Sequence, residues 1–278
     1  MSAALIWAEP WIRLGTFALV FTLMALSEHF RPVCRLPPRL ARWRTNLGLT
    51  VAATLLLRVA LPVAAVGTAI WAQDSGVGLF NYYSVPLWLS LLLSLAGLDL
   101  LIYGQHVAFH RIGLFWRLHK VHHADPALDV TTALRFHPLE IFISMIVKIA
   151  AVVAFGIPPV AVLGFEILLN ASAMFNHANL QLGATVNRLL VRFIVTPDMH
   201  RVHHSVEPDA QNRNFGFNLS LWDRLFGTFR QLDRPALASI RIGLGGHDDV
   251  KPTRFIWSLI LPFLKTSLRP EPSGVSKP

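Results

Sequence analysis

Four stretches of this chain are almost unbroken in apolar residues, and polar segments separate them, one rich in arginine and another in histidine. The runs are roughly Trp11–Phe30, Leu47–Ala72, Val85–Tyr103 and Leu139–Met174. The first three are each close to the ~20 residues a helix needs to cross the hydrocarbon of a bilayer. The fourth is about twice that length and is interrupted by Gly156, Pro158 and Pro159, which predicts a helical hairpin turning there. Its arms, Leu139–Phe155 and Val160–Met174, are slightly short for a full crossing, so partial immersion also fits them. Shorter apolar stretches, Arg188–Val195 and Phe255–Leu264, carry flanking basic residues and aromatics, as segments lying on a membrane surface do. The pattern predicts an all-α integral membrane bundle of four to five membrane segments, the hairpin included. The Pro-, Ser- and Lys-containing tail Arg269–Pro278 is expected to be disordered.

Composition agrees with this and removes some alternatives. At 278 residues, 53% hydrophobic and 15% charged, the chain is too apolar for an ordinary soluble domain. Its net charge of +9 comes with long apolar runs and not with a basic surface stripe, so no nucleic-acid partner is expected. The charges orient the bundle instead. Arg31, Arg35, Arg39, Arg42 and Arg44 follow the first run, whereas Gln73–Ser84 contains Asp74 and no lysine or arginine. The positive-inside rule puts the arginine loop in the cytoplasm and Gln73–Ser84 outside. Glu9 and Pro10 precede the first apolar run without a basic segment before it, so no cleaved signal is expected. The lone Cys34 offers neither an intrachain disulfide nor a thiolate metal site.

The chemistry lies in the histidines. Nine of twelve are clustered: His106 and His110; His119, His122 and His123; then His177 with His200, His203 and His204. Residues three or four apart share a helix face, so each cluster aims its imidazoles at one region. Adjacent residues diverge by about 100° on a helix, which suits two ions side by side better than one. Nine imidazoles exceed the four ligands of a tetrahedral site, so a two-metal centre is expected. Following the charge-derived topology, all nine fall on the cytoplasmic face. Asp99, Tyr103, His106 and His110 form one stripe at spacings of four, three and four, and Asp99 is expected to hold a ligand imidazole in its tautomer. Glu166, Asn170 and His177 form a second stripe, giving Glu166 a similar role. His137 is a possible tenth ligand, a supporting group or a helix-start residue. His29 and His247 are isolated and expected to be bystanders, and Lys148 is expected to face protein or water.

These residues resemble the fatty acid hydroxylase / sterol desaturase superfamily of membrane oxygenases. The matching pieces are Gln105-His106-x-x-x-His110, Trp116-Arg117-x-His119-x-x-His122-His123 and Arg135-Phe136-His137-Pro138-x-Glu140. Asn176-His177, His200-x-x-His203-His204, Asn214-Phe215-Gly216 and Trp222-Asp223-x-x-Phe226-Gly227-Thr228 follow in order. The resemblance covers nearly half the chain, about Asp99 to Phe229, and implies a transmembrane bundle carrying a cytosolic histidine-rich cap that binds two irons. It implies hydroxylation or desaturation of a lipid with dioxygen and electrons from a separate donor. In some lipid hydroxylases of this group a further histidine lies a few residues after the His177 position; here Gln181 stands four residues on, which implies one ligand fewer or a water in its place. Intrinsic affinity of an all-imidazole site favours copper or zinc over ferrous iron, so zinc in purified protein would not be surprising.

The expected organisation is 1–84 as membrane helices and basic loop, 85–230 as the catalytic domain, and 231–278 as a C-terminal cytosolic or interfacial segment. A Gly-rich dinucleotide fingerprint, a C-x-x-C-H haem motif and cysteines for an iron–sulfur cluster are all missing from the sequence, so the electron donor is expected to be a separate protein. Arg111, Arg117, Lys120 and Arg201 suit its docking, or equally anionic lipid headgroups. Desaturation uses the same residues. A metal transporter or metal-binding membrane protein is the alternative of another class, but it would place ligands at mid-membrane on broken helices. A zinc protease lacks its H-E-x-x-H.

Overall fold

The computed structural model describes residues 2–37, 39–244 and 251–264; His247 and the tail from Arg269 lie outside them. The described residues are helical, with isolated bridges in place of a sheet. The long elements are α1 (Ser2–Phe30), α2 (Arg39–Ala60) and α3 (Ala65–Asp74). A short turn of helix, α4 (Leu79–Tyr82), leads to α5 (Leu87–Arg111) and α6 (Gly113–His123). The hairpin is α7 (Pro138–Phe155) and α8 (Pro159–His177). Five stretches are long and apolar enough to cross a membrane: Trp7–Phe30, Arg39–Tyr82, Leu87–Arg111, Pro138–Phe155 and Pro159–His177. Trp7, Trp11, Val59 and Leu92 on these helices are exposed, the outward apolar belt of a membrane bundle.

One segment differs from its sequence pattern. Leu47–Ala72 is not continuous, because Pro62 lacks an N–H and bars the residue before it from the helical region, ending α2 at Ala60. The chain restarts as α3, whose small residues Ala65, Val66, Ala69 and Ala72 are fully buried. Their size lets α3 pack against both hairpin arms, with Val152, Val162 and Phe165 in the same cluster.

The two ends of the bundle are tied differently. At one end Gly156 closes α7 in the left-handed region (φ 65°), and Gly78 (φ 98°) lies directly over it. A Cβ on Gly78 would stand 2.1 Å from the Gly156 nitrogen, so only glycine permits the approach. At the other end Glu28 Oε1 accepts the backbone N–H groups of Val130 (2.6 Å) and Asn179 (2.8 Å), joining α1 to the ends of the histidine-bearing segments. The arginine-rich loop is therefore at the histidine end and Gln73–Ser84 at the opposite end.

The cap over the histidine end comprises α6, α9 (Ala184–Leu190), α10 (Pro197–His203), α11 (Pro208–Gln211), α12 (Leu221–Leu225), α13 (Arg234–Ser239) and α14 (Phe255–Ile260). Phe255–Leu264 is partly drawn into it: Ser258 and Leu261 are buried while Ile256 and Phe263 stay exposed. A buried polar lattice joins cap to bundle. Arg42 on α2 donates to Asp125 (2.6 Å) and Asp129 (2.8 Å), and Asn46 donates to Asp125. Arg135 donates to Val121 O, Asn46 Oδ1, Pro252 O and Ser258 Oγ. Burial alone would raise the Asp125 carboxyl, but the Arg42 guanidinium overrides it and holds it below the usual carboxylate range.

Candidate metal centre

Helix α5 has 25 residues and is roughly 37 Å long, more than the ~30 Å hydrocarbon core, and His106 and His110 lie in its last two turns. Helix α6 follows after Ile112 and delivers His119, His122 and His123; α8 ends on His177 and α10 carries His200, His203 with His204 as its cap. Thr196 starts α10, its hydroxyl accepting the Met199 N–H. Among the described residues these histidines form two groups: His106, His110, His119, His123 and His203, and His122, His177, His200 and His204. Within each group the candidate ligand atoms all lie within 4.8 Å of one another. The i,i+4 pairs His106/His110, His119/His123 and His200/His204 stay together. The adjacent pairs His122/His123 and His203/His204 are split between groups, as a 100° turn per residue requires.

The spacing matches ion-sized centres. His106 and His119 approach Nε2 to Nε2 at 3.1 Å, and His177 lies 3.0 Å from His122 and from His200 and 3.2 Å from His204. A metal–imidazole bond of roughly 2.0–2.1 Å sets neighbouring nitrogens roughly 3 Å apart. The outer nitrogens are held so that Nε2 faces inward. Nδ1–H of His106 donates to Phe215 O (2.8 Å), of His122 to Arg135 O (3.2 Å), of His177 to Ala173 O (2.7 Å) and of His203 to Arg213 O (2.8 Å). His119 Nδ1–H donates to Glu140 Oε1 at 2.6 Å. Nε2 of His110 and His203 and both nitrogens of His123 are buried without a hydrogen-bond partner among the described residues, a costly arrangement that a bound cation relieves. Burial pushes His119 down to about 3, and burial with neighbouring imidazoles holds His122, His123, His200, His203 and His204 well below the ordinary histidine range. These rings are neutral near pH 7, the form that ligates metal. The donor set therefore fits two metal ions.

The fatty acid hydroxylase family model matches residues 91–228, which include all nine histidines. The chain belongs to the fatty acid hydroxylase family. It is 28% identical over 220 residues to an ornithine lipid hydroxylase of Rhizobium tropici, covering 75% of this chain and 66% of that one. It is 34% identical over 145 residues to an alkylglycerol monooxygenase of Xenopus tropicalis, covering 51% of this chain and 30% of the relative. A very-long-chain aldehyde decarbonylase of Oryza sativa subsp. indica is 32% identical over 216 residues, covering 69% and 33%. The chain thus spans about two thirds of the first relative and about a third of the other two. No solved structure matches it.

The remaining residues of this hydroxylase-family centre sit differently from the sequence expectations. Asp99 reaches no imidazole: it accepts from Asn218 N and Nδ2, Leu219 N and Trp222 Nε1. It lies seven residues, roughly 10 Å, up the helix from His106, a gap that a shared stripe does not close. Its effect is to anchor the loop whose Phe215 carbonyl orients His106. Glu166 is farther still, eleven residues or roughly 16 Å from His177, and pairs with Lys148 and Arg13 inside the bundle. His137 is outside both groups, with Nδ1 accepting the Leu139 N–H as the cap of α7 and Nε2–H donating to Leu259 O. Gln181 is exposed, its backbone N–H donating to Arg31 O, and the second group closes with four imidazoles without it. Of the basic residues expected to dock a donor, Lys120 and Arg201 are buried, Arg201 donating to Asn179 Oδ1. Arg111 and Arg117 are exposed.

Glu140 is the carboxylate that sequence reasoning missed. Its signal, an acid in the first turn of the helix opened by His137-Pro138, was visible, but its partner His119 lies 21 residues away. Phe136 also packs face to face on His122, ring centres 4.2 Å apart.

Two hollows reach the centre from opposite surroundings. A cavity of about 370 Å³ opens between α2, α5, α7 and α8 and touches His106 and His119, with Leu57, Ile102, Phe109 and Phe136 in its wall. A polar cleft of about 400 Å³ reaches His110 between Arg111, Trp116, Gln211 and Asn212. His110 is the one histidine of the nine that is partly exposed.

Proposed function

We propose that this chain is a dioxygen-dependent membrane lipid hydroxylase whose two histidine groups each hold one iron ion on the cytoplasmic face. The carrying observation is that nine imidazoles gather in two ion-sized groups, and that His106 and His119 of one group line a largely apolar cavity within the bundle. When bound, two ferrous ions supply the reduction of dioxygen to an oxidant strong enough for an unactivated C–H bond. His106, His110, His119, His123 and His203 hold one ion, and His122, His177, His200 and His204 the other. Glu140 and the carbonyls of Phe215, Arg135, Ala173 and Arg213 orient the rings. Leu57, Ile102, Phe109 and Phe136 hold an alkyl chain beside His106 and His119 and exclude water from it.

Two relatives named for lipid hydroxylation and alkylglycerol monooxygenation support the substrate class. The five arginines between α1 and the middle of α2 support the cytoplasmic placement, because the same end of the bundle carries the histidines. The polar cleft at His110 suits delivery of electrons from a separate donor protein. Metal transport fits less well, since the histidines lie at the ends of the spans and past them.

The test is metal analysis of protein purified from membranes, together with product analysis of lipid extracts supplied with reductant and dioxygen. Two irons per chain and an oxygenated lipid are expected, and His203→Ala and His122→Ala, one from each group, abolish turnover. Unchanged turnover in either variant, or metal flux into vesicles without any lipid product, overturns the reading.

A further inference from the structure

The cavity beside His106 and His119 is walled mainly by apolar side chains, with Arg13, Thr50, Thr54, Ser144 and Asn170 also at its lining. Two oxygen atoms in its wall are buried and make no hydrogen bond among the described residues: Gln105 Oε1 and Glu140 Oε2. Glu140 is 5% exposed, and its other oxygen is engaged by His119. Gln105 immediately precedes His106 on α5, and the Nε2 atoms of His106 and His119 are 3.1 Å apart. The two idle oxygens thus belong to side chains that line the same cavity as His106 and His119, from different helices, α5 and α7. A hydrocarbon chain filling the cavity would seal both oxygens from water and leave them unpaired, which is unfavourable for each. A hydroxyl or an amide N–H satisfies them.

We infer that Gln105 and Glu140 form a recognition site for a hydroxyl or amide group carried by the lipid near the carbon attacked. The substrate class is then a long-chain lipid functionalised near the reacting position, and not a plain alkyl chain. This deepens the proposal above and rests on the cavity being the lipid slot. Gln105 acts as a specificity determinant, reading a polar group on the substrate. Glu140 serves both the ring of His119 and the substrate, one oxygen each, so Gln105 is the cleaner position to test.

The experiment uses the full chain, metal-loaded, in lipid nanodiscs with two photoaffinity probes. Both carry the same sixteen-carbon chain and mid-chain diazirine, one ending in a hydroxyl and the other in a methyl group. Labelling of peptides containing Phe136 and Ile141 is read by mass spectrometry, which scores the cavity separately from bulk lipid. The hydroxyl probe is expected to label these peptides roughly tenfold more than its methyl counterpart, the scale of one buried hydrogen bond gained. Gln105→Leu and Gln105→Met, made in parallel so that misfolding of one is not decisive, are expected to abolish the preference. Gln105→Glu, which keeps the acceptor, is expected to retain it. Equal labelling by both probes in the native protein, or an undiminished preference in the apolar variants, overturns the inference while leaving the lipid slot intact. Failure of both probes to label the cavity removes the slot itself.

Discussion

Removing the Glu140 carboxylate should empty one histidine group and spare the other. Glu140 Oε1 accepts the Nδ1–H of His119 at 2.6 Å, and both side chains are buried, so the contact is neither screened nor replaceable by solvent. It aims His119 Nε2 at the five-histidine group and raises the basicity of the ring. Loss of such a supporting group typically lowers metal affinity about 10- to 100-fold, or roughly 1.4–2.7 kcal/mol. Glu140→Gln keeps a neutral acceptor and should fall near the lower bound. Glu140→Leu leaves the His119 N–H buried without a partner and should fall near the upper. The other group, His122, His177, His200 and His204, has no contact with Glu140 and should keep its ion. The assay is metal stoichiometry under graded chelator competition, following two ions per chain. The native protein should lose both at similar chelator strength, whereas Glu140→Leu should pass through a one-ion plateau. Loss of both ions together, or retention of both at native affinity, would refute the assignment of Glu140 to one group.

Three further outcomes follow from the same geometry. Arg42→Met leaves the carboxylates of Asp125 and Asp129 buried without their cation, which should cost roughly 3–5 kcal/mol and appear as a large fall in the thermal unfolding midpoint in detergent. His137→Ala removes the cap of α7, so about 1 kcal/mol of stability should be lost while metal content stays at its native value. The metal-free protein should be acid-sensitive because His119 has a folded value of about 3 against an ordinary 6.5. Between those values the unfolded chain binds the proton and the folded one does not, so stability is intact above about pH 6.5 and declines as pH falls towards 3. The buried rings His122, His123, His200, His203 and His204 are shifted the same way and steepen the decline, which unfolding midpoints across a pH series would record.

Local patterns in the chain were enough to determine the membrane helices, the hairpin at Gly156–Pro159 and the division of the triplets, because each follows from helix period, proline geometry or hydrocarbon thickness. His119 and His123 must face one way and His122 another wherever α6 is placed. Tertiary packing decided what the helices were brought against. It set His203 with the α5 rings and His200 with His177, and gave His119 a carboxylate from α7 and not from its own stretch of chain. Four of the ring-orienting groups are backbone carbonyls, which carry no residue signature. Asp99 and Glu166 looked suited to that work because they share a stripe with a histidine. A stripe fixes direction around the helix axis but not reach along it, and each carboxylate found nearer donors one packing contact away. Pro62 shows the opposite weakness, since hydrophobicity continues across a break that the proline ring imposes on the backbone. Periodicity and composition thus determined which residues could act; distances between remote segments, settled only by packing, determined which of them do.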